Sequence, residues 1–260
     1  MARHTILVAF CLGVVSMASG VAADPVKPQP SEGKGGTTGT FKDETISVNG
    51  KNRAYRLVVP KTLDCKKPAP LLFAFHGLGD SKDLMPLYSQ LDKFAEDSGY
   101  VLVYPNGVNK MWPLLINLAK DDLAFFDSLY ESITGKYHID LNRVYLTGMS
   151  NGSYFTHVVA SERSDKIAAI ACHSGGLGLV AFSGVKVKNK YAVLVIHGDK
   201  DSIVKVDEGR KTRDAYTKRE HPVEYVEIAG LNHFWATKQD SNEKIGKFFE
   251  AHPRGVKAEK

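Results

Sequence analysis

Cysteine is scarce in this chain, and apolar runs of membrane length are missing. Three cysteines occur in 260 residues, at positions 11, 65 and 172. None forms a C-x-x-C pair and no two histidines show ligand spacing, so no metal site is expected. The apolar stretch from Ile6 to Val15 is too short to span a bilayer, and no later segment is apolar enough to try, so stable membrane insertion is excluded. A dominant charge is lacking too: 34 Lys and Arg stand against 29 Asp and Glu, a net charge of +5. The lysines are scattered without interleaved aromatics, which argues against a nucleic-acid groove and leaves weak attraction to acidic polymers. No internal repeat is visible.

What is present divides the chain. Arg3 and His4 precede the Ile6 to Val15 stretch, small residues follow, and Val21-Ala22-Ala23 makes a cleavage site before Asp24. Residues 1–23 therefore read as a signal peptide, implying a secreted or periplasmic protein. Residues 24–40 are rich in proline, glycine and small polar residues, and read as a flexible linker. Residues 41–252 have the length of a single domain, with 253–260 a basic tail. Cys65 and Cys172 remain after cleavage. They are able to form one disulfide, but Cys172 ends an apolar run and reads better as a small buried side chain.

Hydrophobic patterning predicts an α/β fold. Thr45 to Val48, Asn49-Gly50 and Ala54 to Val59 form a hairpin signal, because Asn-Gly accommodates the turn's positive φ angles. Apolar strand-length runs at 71–75, 100–104, 143–147, 166–172, 192–196 and 223–228 alternate with helical patterns at 84–97, 122–136, 153–163, 206–219 and 242–251. Fully apolar strands alternating with helices predict a mostly parallel sheet covered on both faces, with ligands beyond the strands' carboxyl ends.

One pentapeptide lies there, Gly148-Met149-Ser150-Asn151-Gly152. It fits G-x-S-x-G, in which a serine sits on a strained turn between a buried strand and a helix. A serine hydroxyl is a poor nucleophile at neutral pH and needs a base, itself oriented by an acid. Further along, His197-Gly198-Asp199-Lys200-Asp201 follows one strand and Gly230-Leu231-Asn232-His233 follows the last. Spacing alone does not separate Asp199 from Asp201. Oxyanion donors are expected from the backbone N–H of Asn151 and from the His76-Gly77-Leu78-Gly79 loop, with Leu78 the donor. His76 and His197 read as loop-tying imidazoles, His157 as packed or exposed, His173 as packing with a lesser claim as a substrate contact, and His138, His221 and His252 as surface.

Further pieces join these: Tyr104-Pro105-Asn106-Gly107, Asp121-Asp122 with Phe125, Tyr137-His138-Ile139-Asp140 before Arg143-Val144-Tyr145, Ala168-Ala169-Ile170, and Trp235 after His233. With them the chain resembles the polyhydroxybutyrate depolymerase and feruloyl esterase branch of the α/β-hydrolases, from about Tyr55 to Trp235. The resemblance implies a single α/β-hydrolase domain with an N-terminal antiparallel hairpin. It implies a cofactor-free secreted serine esterase with Ser150 as nucleophile, Asp201 as acid and His233 as base. Its substrate is an ester, free or polymer-linked.

The chain departs from the branch at Val108 to Lys120, which is compact and apolar where relatives often carry glycine and cysteine. Trp112 and Trp235 are expected to wall the acyl pocket. The competing readings are a serine peptidase of the same fold, which usually carries a gating domain that this length does not accommodate, and an inactive binding module, which an intact triad argues against.

Overall fold

The computed structural model describes residues 26–178 and 187–255. The signal-peptide stretch and its cleavage site, like most of the basic tail, lie outside the described residues.

An eight-stranded sheet with the order β1-β2-β4-β3-β5-β6-β7-β8 organises the chain. Its strands are β1 (Gly39–Val48), β2 (Lys51–Val59), β3 (Ala69–Phe75), β4 (Val101–Pro105), β5 (Ile139–Met149), β6 (Ala169–His173), β7 (Ala192–Gly198) and β8 (Val223–Ile228). β1 and β2 form the antiparallel hairpin, turning at Asn49 (φ 50°) and Gly50 (φ 76°), and β2 meets β4 antiparallel. Every other pairing is parallel. The helices are α1 (Met85–Ser89), α2 (Leu91–Ser98), α3 (Lys120–Lys136), α4 (Asn151–Glu162), α5 (Val206–Lys218) and α6 (Ser241–Ala251). This is the α/β-hydrolase fold.

Period-two alternation along the strands sends side chains to two cores. In β3, Leu71, Phe73 and Phe75 join α3 and α4 on one face, while Leu72 and Ala74 join α2 and α6 on the other. Both faces of the strand are dry, which is why its sequence reads as an unbroken apolar run.

Two expectations are corrected. The helix expected over 84–97 is broken in two, because Gln90 takes a left-handed conformation (φ 55°) that ends α1 and starts α2. The described part of the stretch expected to be a flexible linker is tied to the body. The Ser31 hydroxyl donates to Tyr137 O (2.8 Å), and the N–H groups of Gly33 and Gly35 donate to Thr134 O and Lys136 O. Its composition forbids a core, but its backbone groups still pair with the open end of α3.

Candidate active site

β5 delivers Ser150 to the carboxyl rim of the sheet. The residue holds φ 52° and ψ −116°, a conformation costly for a side chain with a Cβ, and it is followed directly by α4. Its N–H donates to His173 O (2.9 Å), and its carbonyl accepts from Tyr154 N–H (3.1 Å). The glycines either side are required by close approach: a Cβ on Gly148 would lie 2.4 Å from Gly152 O, and one on Gly152 only 2.0 Å from Phe75 O. Larger residues would push α4 off β3 and the serine off the rim.

The loops after β7 and β8 bring Asp201 and His233 together. His233 Nδ1 donates to Asp201 Oδ2 at 2.7 Å, leaving Nε2 as the free ring nitrogen. Asp201 is buried, and its other oxygen accepts the N–H groups of Ile203 and Val204, both at 2.9 Å. Those donors fix the carboxylate's orientation toward the imidazole. Asp199, the competing acid, accepts instead from Gly230 N–H (2.7 Å) and so fastens the base of the histidine loop. His197 is fully buried. Its Nε2–H donates to Val204 O (2.8 Å) and stands 3.3 Å from Asp201 Oδ2, tying the acid's turn.

On the other side of the serine lies the loop after β3. A Cβ on Gly77 would stand 3.8 Å from the Ser150 Cβ, so the His76–Gly79 backbone runs beside the nucleophile. His76 is held neutral by burial, which lowers its pKa. Its Nδ1–H donates to Gly77 O (2.8 Å), and its Nε2 accepts Gly107 N–H (2.9 Å). Gly79 N–H donates to Lys110 O (2.8 Å). The loops after β3 and β4 are thus laced together.

Trp112, expected as a pocket wall, is corrected to an internal brace. It is 1% exposed and stacks on Phe155 at 4.7 Å, and its indole N–H donates to His76 O (3.0 Å). Its backbone is clamped at both groups by the Asn151 side chain: Trp112 N–H donates to Oδ1 (2.7 Å), and Nδ2 donates to Trp112 O (3.0 Å). Sequence reasoning gave Asn151 only a backbone role and missed this clamp. The asparagine directly after the elbow serine was the available signal.

Trp235 is also turned inward, at 6% exposure. It stacks on His173 at 4.9 Å and donates its indole N–H to Asn242 Oδ1 (2.9 Å). His173 accepts Ala236 N–H on Nε2 (3.0 Å) and is pushed down to about 3, chiefly by burial. It holds the histidine loop from beneath. His221, expected at the surface, is buried with Nδ1 on Tyr191 O (2.8 Å). Cys65 and Cys172 are both free thiols, the second buried. Among the described residues no cluster of His, Cys, Asp or Glu has the makings of a metal site.

Residues 129–252 match the Phospholipase/Carboxylesterase family model. Feruloyl esterase D of Neurospora crassa is 29% identical over 228 residues, covering 83% of this chain and 75% of the relative. A probable feruloyl esterase C of Aspergillus terreus is 32% identical over 178 residues, 65% of this chain and 62% of the relative, so this chain spans less than two thirds of its length. The crystal structure of a thermostable esterase superposes with a TM-score of 0.67 at 21% identity, over 82% of this chain and 63% of that one. Elbow, loop order, sheet and relatives agree: the chain is an ester hydrolase of the α/β-hydrolase fold, similar to the feruloyl esterases.

Proposed function

We propose that the protein is an exported serine esterase that works through an acyl-enzyme. Ser150 Oγ attacks the ester carbonyl while His233 Nε2 takes its proton. The tetrahedral oxyanion is held by the N–H groups of Asn151 and Leu78, each worth about 2.7–4 kcal/mol of transition-state stabilisation in enzymes where such a donor was removed. Collapse breaks the acyl carbon–alcohol oxygen bond, and the imidazolium protonates the departing alkoxide. Asp201 fixes the ring tautomer and balances its charge. Water, deprotonated by the same imidazole, then attacks the acyl-enzyme, and the serine recovers its proton as the acid leaves. No step needs a cofactor.

The observation that carries this reading is the 2.7 Å bond from His233 Nδ1 to Asp201, on loops beside a serine held at positive φ. The names of the relatives support a feruloyl ester as substrate. Export rests on residues 1–23 of the sequence alone.

A fluorophosphonate probe tests the reading directly. The chain should be labelled and Ser150→Ala should not; an unlabelled but folded wild type overturns it. Feruloyl, acetyl and 3-hydroxybutyryl esters assayed beside aminoacyl anilides then separate esterase from peptidase.

A further inference from the structure

His173 is fully buried, and its backbone and its ring are bonded to different parts of the catalytic rim. Its backbone oxygen accepts the Ser150 N–H (2.9 Å), and in the parallel register it lies opposite Met149, the residue before the nucleophile. By period-two alternation its side chain shares a face with Ala169 and Ala171, the face that α6 covers. There Nε2 accepts the Ala236 N–H (3.0 Å), just past His233 in the chain. The ring also stacks on Trp235, with 18° between the planes.

The imidazole is held in one tautomer. Because Nε2 receives a donor, the ring proton sits on Nδ1, where Ser174 Oγ accepts it (3.0 Å). Ser174 reaches that place at φ 50°, while its own N–H donates to Ile196 O (2.9 Å). A second ring proton would stand against the Ala236 N–H, and burial keeps the ring neutral, pushing it down to about 3. The ring is therefore a fixed strut and not a proton carrier.

Other moorings of the histidine loop lead away from the nucleophile. Gly230 N–H goes to Asp199, the Trp235 indole to Asn242 on α6, and the Thr237 hydroxyl to Tyr88 O on α1. The His173 bond instead ties the loop to β6, which pairs with β5, and to the residue that takes the Ser150 N–H. Proton transfer between serine and imidazole needs a heavy-atom approach of about 2.6–3.2 Å. A misplacement of about 1 Å costs on the order of 10²-fold in rate.

We propose that His173 is a positioning residue that sets the separation of nucleophile and base, by joining the Ser150 backbone to the His233 loop through one side chain. It acts through its neighbours and touches no reacting atom. The kinetic consequence rests on the esterase reading; the mooring itself does not.

The test compares full-length His173→Phe and His173→Gln with the parent protein. His173→Phe keeps a flat ring against Trp235 but offers Ala236 no acceptor, whereas in His173→Gln the amide oxygen replaces Nε2. The substrate is soluble 4-nitrophenyl acetate, with competent sites counted by fluorophosphonate labelling to completion. In His173→Phe kcat per site should fall about 10–100-fold with KM within about threefold, and His173→Gln should recover to within about fivefold of the parent. A side chain that merely stabilised the fold would lower the melting temperature and the number of labelled sites, but not the kcat of each. Hydrogen exchange adds a measurement that needs no turnover. Peptides covering 232–237 should exchange about tenfold or more faster in His173→Phe and near the parent's rate in His173→Gln, with the β1–β2 hairpin unchanged in both. His173→Asn, too short to reach Ala236, should match His173→Phe and takes its place if that variant does not fold. A parent that is never labelled but shows this exchange pattern overturns the esterase reading and supports the mooring. The proposal is overturned if His173→Phe keeps the parent's kcat per site, if His173→Gln is as slow as His173→Phe, or if exchange over 232–237 does not change.

Discussion

Asp199 and Asp201 stand two residues apart on one turn, yet their carboxylates hold different things. Asp201 holds an imidazole, and Asp199 holds the N–H of Gly230. Asp201→Asn should therefore present the wrong hydrogen-bond partner to His233 and cut kcat by about 10⁴, as loss of the matching contact does in serine proteases. Asp199→Asn keeps an acceptor oxygen for Gly230 and should change kcat by less than about tenfold. Steady-state rates on a soluble ester decide it, and a crippled Asp199→Asn beside a mild Asp201→Asn would reverse the roles. Sequence spacing left this choice open because both carboxylates follow the same strand; only the family motif favoured one. Ser150 and His233 were legible because an elbow between strand and helix, and a loop after the last strand, are local features. The inward turn of both tryptophans was not. Whether an indole faces a pocket or a neighbour is set by partners such as Phe155 and His173, far away in sequence.

Strands and helices were read within a few residues wherever an apolar run or a helical period carried them. The break at Gln90 was missed, since a single left-handed residue leaves the surrounding period intact. Loops were the least legible elements. The stretch from Val108 to Lys120 looked like a source of substrate contacts and proves to be split: Trp112 points inward, while its apolar neighbours point out. As a unit this loop braces the two backbone segments expected to hold the oxyanion, one through His76 O and the other through the Asn151 side chain. Trp112→Phe keeps the stacking on Phe155 but strands the His76 carbonyl, and should cost about 1–3 kcal/mol of stability. If the brace sets the donor geometry, kcat falls more than KM rises. Denaturant melts and steady-state rates on the same preparation check both halves; an unchanged melting midpoint refutes the brace.

Over the whole molecule, burial of histidine makes stability depend on pH. His157 and His173 are each pushed down to about 3 by desolvation, and burial lowers His76 and His221 as well. In the unfolded chain these rings titrate near about 6.5. Between those values the unfolded state binds more protons than the folded one, so stability falls as pH drops through that window. Thermal melts should show the decline starting near about pH 6.5, above the usual carboxylate range, and His157→Gln should make it shallower. A melting temperature that stays level down to about pH 4.5 would contradict this reading.

The segment docked along α3 reaches the pole of the sheet farthest from Ser150, and the other end of the described chain arrives there too. Asn142, near the start of β5, donates its side-chain amide to Lys27 O (3.1 Å) and accepts Arg254 N–H on its carbonyl (2.7 Å), while the Arg254 guanidinium reaches Gln29 Oε1 (3.1 Å). A tag, a resin or a fused module joined directly before Lys27 or after Arg254 would therefore be anchored at one spot, away from the catalytic rim. A preparation immobilised there would keep that rim facing the bulk phase, and Lys27 and Arg254, which share Asn142 as a partner, are close enough for a short peptide to splice them while new ends are opened elsewhere.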